Sequence, residues 1–395
     1  MTRVAVRPEI LKWARERARL GIDDLAKKFP EIVDWESGDR LPTYKQLEDF
    51  ANATHVPFGY LFLPEPPDIP MPIPDFRTIR NRQVGTISPD LLDTIYTMQR
   101  RQAWLREERL EGDAEPLAFV GSANLADDPA AVGREMRRLT GLGDGWATGV
   151  RTWQEAVNVL RQVIEELGVM AVINGIVGNN TRRKLDVEEF RGFALSDEYA
   201  PLIFVNGADA KSAQMFTLAH ELAHIWLGAP GSGLSGFPGI FPEGGDVEMF
   251  CDRAAAEFLV PEAELRAQWP EVRREASPFE VLARRFKVSP IVTGRRAMDL
   301  RLVERQTFFD FYEGYTQQER SRKQAIGGRG DFYNNQNTRV GKLFATRVIR
   351  AAKEGRIGFK QAYDLTGLNG GTFQEYAHRL GIELPSGQSH EALSY

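Results

Sequence analysis

A run of prolines constrains how this chain can fold more than any other feature of its sequence. Six of the eleven residues at 64–74 are proline. Proline has no backbone N–H and clashes with the preceding helical turn, so such a run favours an extended, stiff linker. We therefore expect a linker over residues 64–79, between a small N-terminal module and a larger domain.

The segment before the prolines, residues 1–63, is predicted to be a small helical module. Residues 7–19 carry apolar side chains at helical spacing, and residues 22–29 have the pattern of a second, short helix. A further helix is predicted to start after Thr43, whose hydroxyl is a good N-cap.

A strongly apolar helix is predicted over residues 213–227, and it contains the sequence His220-Glu221-Leu222-Ala223-His224. Residues four apart lie on one face of a helix, so both imidazoles can point at one metal ion. The carboxylate of Glu221 lies next to that face, where it can take a proton from a metal-bound water. Zinc lowers the pKa of such a water to about 7, so this pattern predicts a Zn²⁺ hydrolase with Glu221 as the catalytic base.

A catalytic zinc site needs a third protein ligand, and a second predicted helix at residues 246–259 offers two glutamates. Glu248 shares a helix face with Asp252, which can hydrogen-bond the outer nitrogen of a ligand histidine and orient it. Glu257 is nine residues from Glu248 and therefore on the opposite side of the helix. We favour Glu248 as the ligand and read Glu257 as a surface or salt-bridge residue.

The remainder of residues 80–310 predicts a mainly helical α+β domain with a small sheet. Strand-like runs occur at residues 169–173, 190–195 and 200–205. Either of the last two could be an edge strand that pairs with an extended peptide. The Gly-rich stretch at residues 228–245, with Phe237, Ile240 and Phe241, is expected to be a loop beside the metal site.

The C-terminal region, residues 311–395, is predicted to be helical and basic. Residues 320–380 hold 12 Lys and Arg against four Asp and Glu, although the whole chain has a net charge of −5. Such a region can contact nucleic acid or an acidic partner. We favour the alternative that it is a helical subdomain packed on the acidic body, because aromatic residues that would stack on bases are sparse.

The composition indicates a cytoplasmic protein. Cys251 is the one cysteine, which excludes an internal disulfide framework and fits a reducing compartment. The N-terminal segment lacks the apolar core of a signal peptide. No apolar run approaches the roughly 20 residues that a membrane-spanning helix needs, so we expect no membrane association.

Two stretches, FTLAHELAHIWLG at residues 216–228 and EMFCDRAAAEFLVP at residues 248–261, resemble the ImmA/IrrE family of metallo-endopeptidases. This resemblance implies a zincin-like peptidase domain with His220, His224 and Glu248 as zinc ligands and Glu221 as general base. It also implies that the chain cleaves a repressor or antitoxin-like regulator and so relieves repression in stress responses or mobile-element induction.

Members of that family often carry an N-terminal helix-turn-helix of the Cro/C1 repressor type, which WESGDRLPTYKQLEDFA at residues 35–51 resembles. Only six residues separate Lys28 from Trp35, about four fewer than a DNA-reading module of this type needs. Residues 1–60 hold ten Lys and Arg and ten Asp and Glu, whereas a DNA reader needs an excess of cations. We therefore favour a protein-docking or dimerising role for this module over DNA binding.

Three functions fit these features. The leading one is a zinc endopeptidase that acts on a regulatory protein. The second is a DNA-binding transcriptional regulator that uses the peptidase-like domain as a sensor or scaffold. The third is a metalloenzyme that hydrolyses a different amide.

Overall fold

The computed structural model of the protein describes residues 2–70, 72–73, 87–228, 245–322 and 336–384. The chain divides into two compact units, and the boundary between them falls after Thr97. The secondary structure is mainly helical with a small sheet, so the predicted α+β class is confirmed.

The first unit is built around four helices that enclose an apolar core. Ile10, Trp35 and Phe50 are among its most deeply buried side chains. Thr43 accepts a hydrogen bond from the backbone of Gln46, whose side chain in turn accepts one from the backbone of Thr43, so the predicted N-cap is confirmed. The helices are α1 (Pro8–Arg17), α2 (Ile22–Ala26), α3 (Ile32–Ser37) and α4 (Tyr44–Thr54).

The third helix, α3, is short and carries no basic residue. It spans six residues, and Gly38, with a φ of 84°, ends it in the left-handed conformation that glycine tolerates best. Its exposed side chains are those of Val33, Asp34 and Ser37. The outer face of α3 therefore offers no cation to a phosphate backbone.

A three-stranded sheet forms the centre of the second unit. β1 (Met170–Asn174) pairs in parallel with β5 (Leu202–Asn206), which pairs antiparallel with β4 (Gly192–Leu195). These three strands confirm the predicted ones with small shifts at their ends. A separate two-stranded sheet of β2 (Ile176–Val177) and β3 (Asn180–Lys184) was not predicted, because its exposed, charged residues lack an apolar alternation.

The helix that carries both histidines, α8 (Lys211–Leu227), packs on β4 and β5 and is covered by further helices. Fourteen of its residues are buried, which explains why its sequence is apolar almost all the way round. The helices that precede the strands are α5 (Pro89–Glu111), α6 (Pro129–Leu139) and α7 (Trp153–Glu166).

The helices after α8 complete the core of the second unit. The predicted second helix is confirmed as α9 (Gly245–Leu259), which packs against both α6 and α8. It is followed by α10 (Glu262–Val272), α11 (Pro278–Phe286), α12 (Pro290–Asp299) and α13 (Arg305–Arg322). No helix among the described residues is both long and apolar enough to cross a membrane.

The basic C-terminal region belongs to the second unit. A π-helical turn at Asn337–Gly341 lies against β1, and it leads into α14 (Lys342–Lys353), α15 (Phe359–Thr366) and α16 (Gly370–Arg379). The guanidinium of Arg101 is buried and donates to the backbone carbonyls of Arg339, Leu365 and Thr366. The region is thus packed on the rest of the unit, as favoured from the sequence.

Candidate metal centre

The side chains of the two histidines of α8 converge in the interior of the second unit. His220 and His224 are 1% and 0% exposed, and their Nε2 atoms lie 3.1 Å apart. One helical turn separates the two residues, so the spacing of four residues produces this convergence directly. Two imidazole nitrogens this close need either a hydrogen atom between them, as in an N–H···N hydrogen bond, or a metal ion.

Glu248, in the first turn of α9, completes the cluster. Its carboxylate oxygens lie 3.1 Å from Nε2 of His220 and 3.3 Å from Nε2 of His224. One ligand atom from each of the three residues falls within 4.8 Å of the others. Burial opposes the charge of Glu248, but its hydrogen bonds to the two histidines hold its pKa well below the ordinary value.

These distances fit a zinc ion. Ligands about 2.0–2.1 Å from a tetrahedral zinc lie roughly 3.3 Å from one another, close to the separations observed here. Two imidazole nitrogens and a carboxylate oxygen are also a donor set that zinc accepts. The cluster can therefore hold a metal ion, with a fourth coordination position left for a water or a substrate.

Asp252 contacts His220 at the ring nitrogen that points away from the cluster. Its Oδ1 lies 2.9 Å from Nδ1 of His220, one helical turn after Glu248 on the same face of α9. Burial alone would lower the pKa of His220, but the hydrogen bonds to Asp252 and Glu248 raise it well above its usual range. The carboxylate of Asp252 directs the proton of His220 to Nδ1 and leaves Nε2 for the cluster.

Glu221 is fully buried at the interface between α8 and the sheet. Gly192 of β4 is its close neighbour, since a Cβ atom at that position would lie 3.2 Å from Oε1 of Glu221. The same Cβ would lie 2.5 Å from Cγ2 of Thr217 and 2.8 Å from the carbonyl oxygen of Phe204. Only a glycine lets α8 approach the strand this closely.

Gly192 was not singled out from the sequence. A signal was present, because a glycine within an apolar strand often marks a close backbone approach. What the sequence could not show was which helix makes that approach.

Glu257 lies outside the cluster, in a buried ion pair with Arg296. Arg296 also donates from Nε to the carbonyl of Val260, so the pair joins α9 to α12. The structure thus brings Glu248, and not Glu257, to the histidines. Glu257 forms a salt bridge as expected, but it is 3% exposed and not a surface residue.

Cys251 is buried beside the cluster and remains a thiol. Burial is the main cause that raises its pKa well above the ordinary value, and the nearby carboxylates of Glu248, Asp252 and Glu221 raise it further. A buried thiol of this kind packs as a small apolar core residue.

Of the two candidate edge strands, residues 200–205 do not lie at an edge, so that prediction is wrong. β5 occupies the middle of its sheet and is paired on both sides, so its backbone is not available to a peptide. β4 is the outer strand among the described residues, and all four of its residues are buried. Phe237, Ile240 and Phe241, expected in a loop near the site, lie outside the described residues.

Comparison with known protein families finds matches for two segments of the chain. Residues 340–379 match a domain of unknown function, DUF8813. A comparison with curated proteins finds no match. Residues 165–298, which contain the sheet, the histidine helix and α9, match the family model of the IrrE N-terminal-like domain, Peptidase_M78. The segment that holds the cluster of His220, His224 and Glu248 is therefore similar to the Peptidase_M78 metallopeptidases, which supports the resemblance to the ImmA/IrrE family.

Proposed function

We propose that the protein is a zinc-dependent endopeptidase that cleaves a regulatory protein. The observation that carries this proposal is the buried convergence of His220, His224 and Glu248. The match of residues 165–298 to a peptidase family supports hydrolysis of a peptide bond over hydrolysis of another amide.

We infer that His220, His224 and Glu248 hold the zinc ion. When bound, zinc supplies a Lewis acid that lowers the pKa of a coordinated water to about 7. Three protein ligands leave one position open, as a catalytic site requires. Asp252 keeps the imidazole of His220 in the tautomer and orientation that ligation needs.

Glu221 is proposed as the general base. Its carboxylate is adjacent in sequence to a ligand histidine and faces the sheet, where Gly192 leaves space at Oε1. It would accept a proton from the attacking water and return it to the nitrogen that leaves when the peptide bond breaks. Such a positioned carboxylate contributes a factor of about 10²–10⁴ to the rate.

The substrate class is proposed from the resemblance to the ImmA/IrrE family. We propose a repressor or antitoxin-like protein, and we assign the N-terminal module of α1–α4 to docking or dimerisation. The absence of Lys and Arg from α3 supports this assignment over DNA binding, because phosphate contacts require cations. Pairing of a substrate with β4 remains a prediction.

Co-expression tests the proposal. The full-length protein and its Glu221→Gln variant are expressed with candidate repressors from the same locus, and the repressors are examined for cleavage by mass spectrometry. We expect cleavage by the wild type and none by Glu221→Gln. Glu271→Gln makes the same change at an exposed position of α10 and should cleave as the wild type does. Equal cleavage by Glu221→Gln would contradict the proposed role.

A further inference from the structure

A cavity of about 360 Å³ lies near Nδ1 of His220, although His220 itself does not line it. Asp252, whose Oδ1 bonds that nitrogen, forms part of the wall. Phe216 forms another part, and its ring centroid lies 6.2 Å from that of His220. Both residues contact His220, so the cavity lies one residue away from the metal cluster, and we take a side chain that fills it to belong to a substrate residue near the cleaved bond.

Part of the cavity wall is apolar. Phe216 and Val292 are buried, and Met249 and Ala256 are partly buried beside them. Such a surface suits the hydrocarbon portion of a side chain, whereas the specificity of a pocket depends on its few polar groups.

The three aspartates that line the cavity are already engaged. Asp252 bonds His220, and Asp128 accepts hydrogen bonds from the backbone at the start of α6 and pairs with Arg134 at 3.4 Å. The carboxylate of Asp299 lies 3.0 Å from Nε of Arg295, one turn earlier on α12. None of these carboxylates therefore needs a cation from an incoming ligand.

The three arginines that line the cavity differ from one another. Arg295 pairs with Asp299, and Arg296 pairs with the buried Glu257. The side chain of Arg253, which is exposed on α9 next to Asp252, has no hydrogen-bond or ion-pair partner within the described part of the chain. Among the arginines that line the cavity, Arg253 is thus the one whose guanidinium has no carboxylate partner within the described residues.

We propose that this cavity binds an acidic side chain of the protein substrate and that Arg253 pairs with its carboxylate. The inference rests on the proposed peptidase function, because it is the metal centre that makes the neighbouring cavity a substrate site. A guanidinium forms charge-assisted, bidentate hydrogen bonds with a carboxylate, and the apolar wall accommodates the methylene groups of glutamate. Arg253 thereby determines specificity and takes no part in the chemical step.

Binding is measured first, on full-length Glu221→Gln protein with and without added zinc. The probe is a randomised, end-blocked octapeptide library, and the bound peptides are sequenced by mass spectrometry. We expect one position to be enriched about tenfold in Asp and Glu. Adding Arg253→Glu should reverse that enrichment to Lys and Arg. Arg284→Glu, at an exposed position of α11, makes the same charge change away from the cavity and should leave the enrichment unchanged.

Cleavage of the same library by the wild type then separates this inference from the proposed function. Acid-selective binding that Arg253→Glu reverses, without any cleavage, would support the cavity as a binding site and contradict the peptidase. Cleavage without an acidic preference, or with a preference that Arg253→Glu leaves unchanged, would overturn the inference and leave the peptidase intact. Absence of acid-selective binding overturns the inference in either case.

Discussion

Asp252 is not a member of the metal cluster, but its contact with His220 affects how tightly the cluster can bind a metal ion. Its Oδ1 lies 2.9 Å from Nδ1 of His220, while Nε2 of the same ring faces Glu248 and His224. The charge of Asp252 both orients the imidazole and makes its Nε2 atom a better electron-pair donor to a metal ion. Loss of such a partner typically weakens metal binding by about 10- to 100-fold.

We expect Asp252→Asn to weaken zinc binding by about tenfold, because the amide can still accept a hydrogen bond from Nδ1 but carries no charge. Competition with a chromophoric chelator measures the zinc Kd. Asp246→Asn, at an exposed position in the first turn of α9, is the matched control and should bind zinc as the wild type does. An unchanged Kd in Asp252→Asn would show that the aspartate does not support the cluster.

At the scale of elements, the contact between α8 and β4 determines where Glu221 lies. The helix can approach the strand only because residue 192 has no side chain. A methyl group added there must displace either the backbone of β5 or α8 itself, since the nearest atoms include the carbonyl oxygen of Phe204. Overpacking of this kind costs about 1–3 kcal/mol.

We therefore expect Gly192→Ala to lower the free energy of unfolding by about 1–3 kcal/mol, as measured by urea denaturation. Gly149→Ala is the control, because a Cβ atom at Gly149 would meet nothing within 4 Å. Equal stability of Gly192→Ala and the wild type would mean that α8 and β4 are not packed as described.

The sequence was most informative about contacts within one helix. The four-residue spacing of His220 and His224 predicts their convergence, and the nine-residue spacing of Glu248 and Glu257 shows that only one of them can join the histidines. Contacts between distant elements were not predictable in the same way. The apolar pattern of α8 shows that the helix is buried, but not that Gly192 is the residue against which it packs.

At the scale of the whole molecule, the C-terminal helices are tied to the rest of the second unit by buried charges. Glu165, near the end of α7, pairs with Arg161 and accepts a hydrogen bond from the backbone N–H of Leu343 at 3.3 Å. Arg101 donates hydrogen bonds to the backbone carbonyls of Leu365 and Arg339 in the same region. The basic, amphipathic sequence predicted these helices but could not show which surface they cover, since amphipathicity identifies an apolar face and not its partner.

Burial, which outweighs the attraction of Arg161, raises the pKa of Glu165 from 4.5 to about 7. The pKa of Glu165 is higher in the folded protein than in the unfolded chain. Its contribution to stability is therefore full below about pH 4.5 and is lost as the pH rises through 7. We expect Glu165→Gln to remove a slope of up to about 1.4 kcal/mol per pH unit from the stability of the wild type in this window. Urea denaturation of both proteins from pH 5 to pH 8 measures the difference, and parallel curves would contradict it.

The central claim, that His220, His224 and Glu248 form a zinc site, is tested most directly by the zinc content of the purified protein. Elemental analysis is carried out on the folded fraction of the wild type, Glu248→Gln and Glu257→Gln after zinc loading and removal of loosely bound metal. We predict about one zinc per chain in the wild type and in Glu257→Gln, and little in Glu248→Gln. A wild type without zinc, or a Glu248→Gln variant that retains it while Glu257→Gln loses it, would contradict the site.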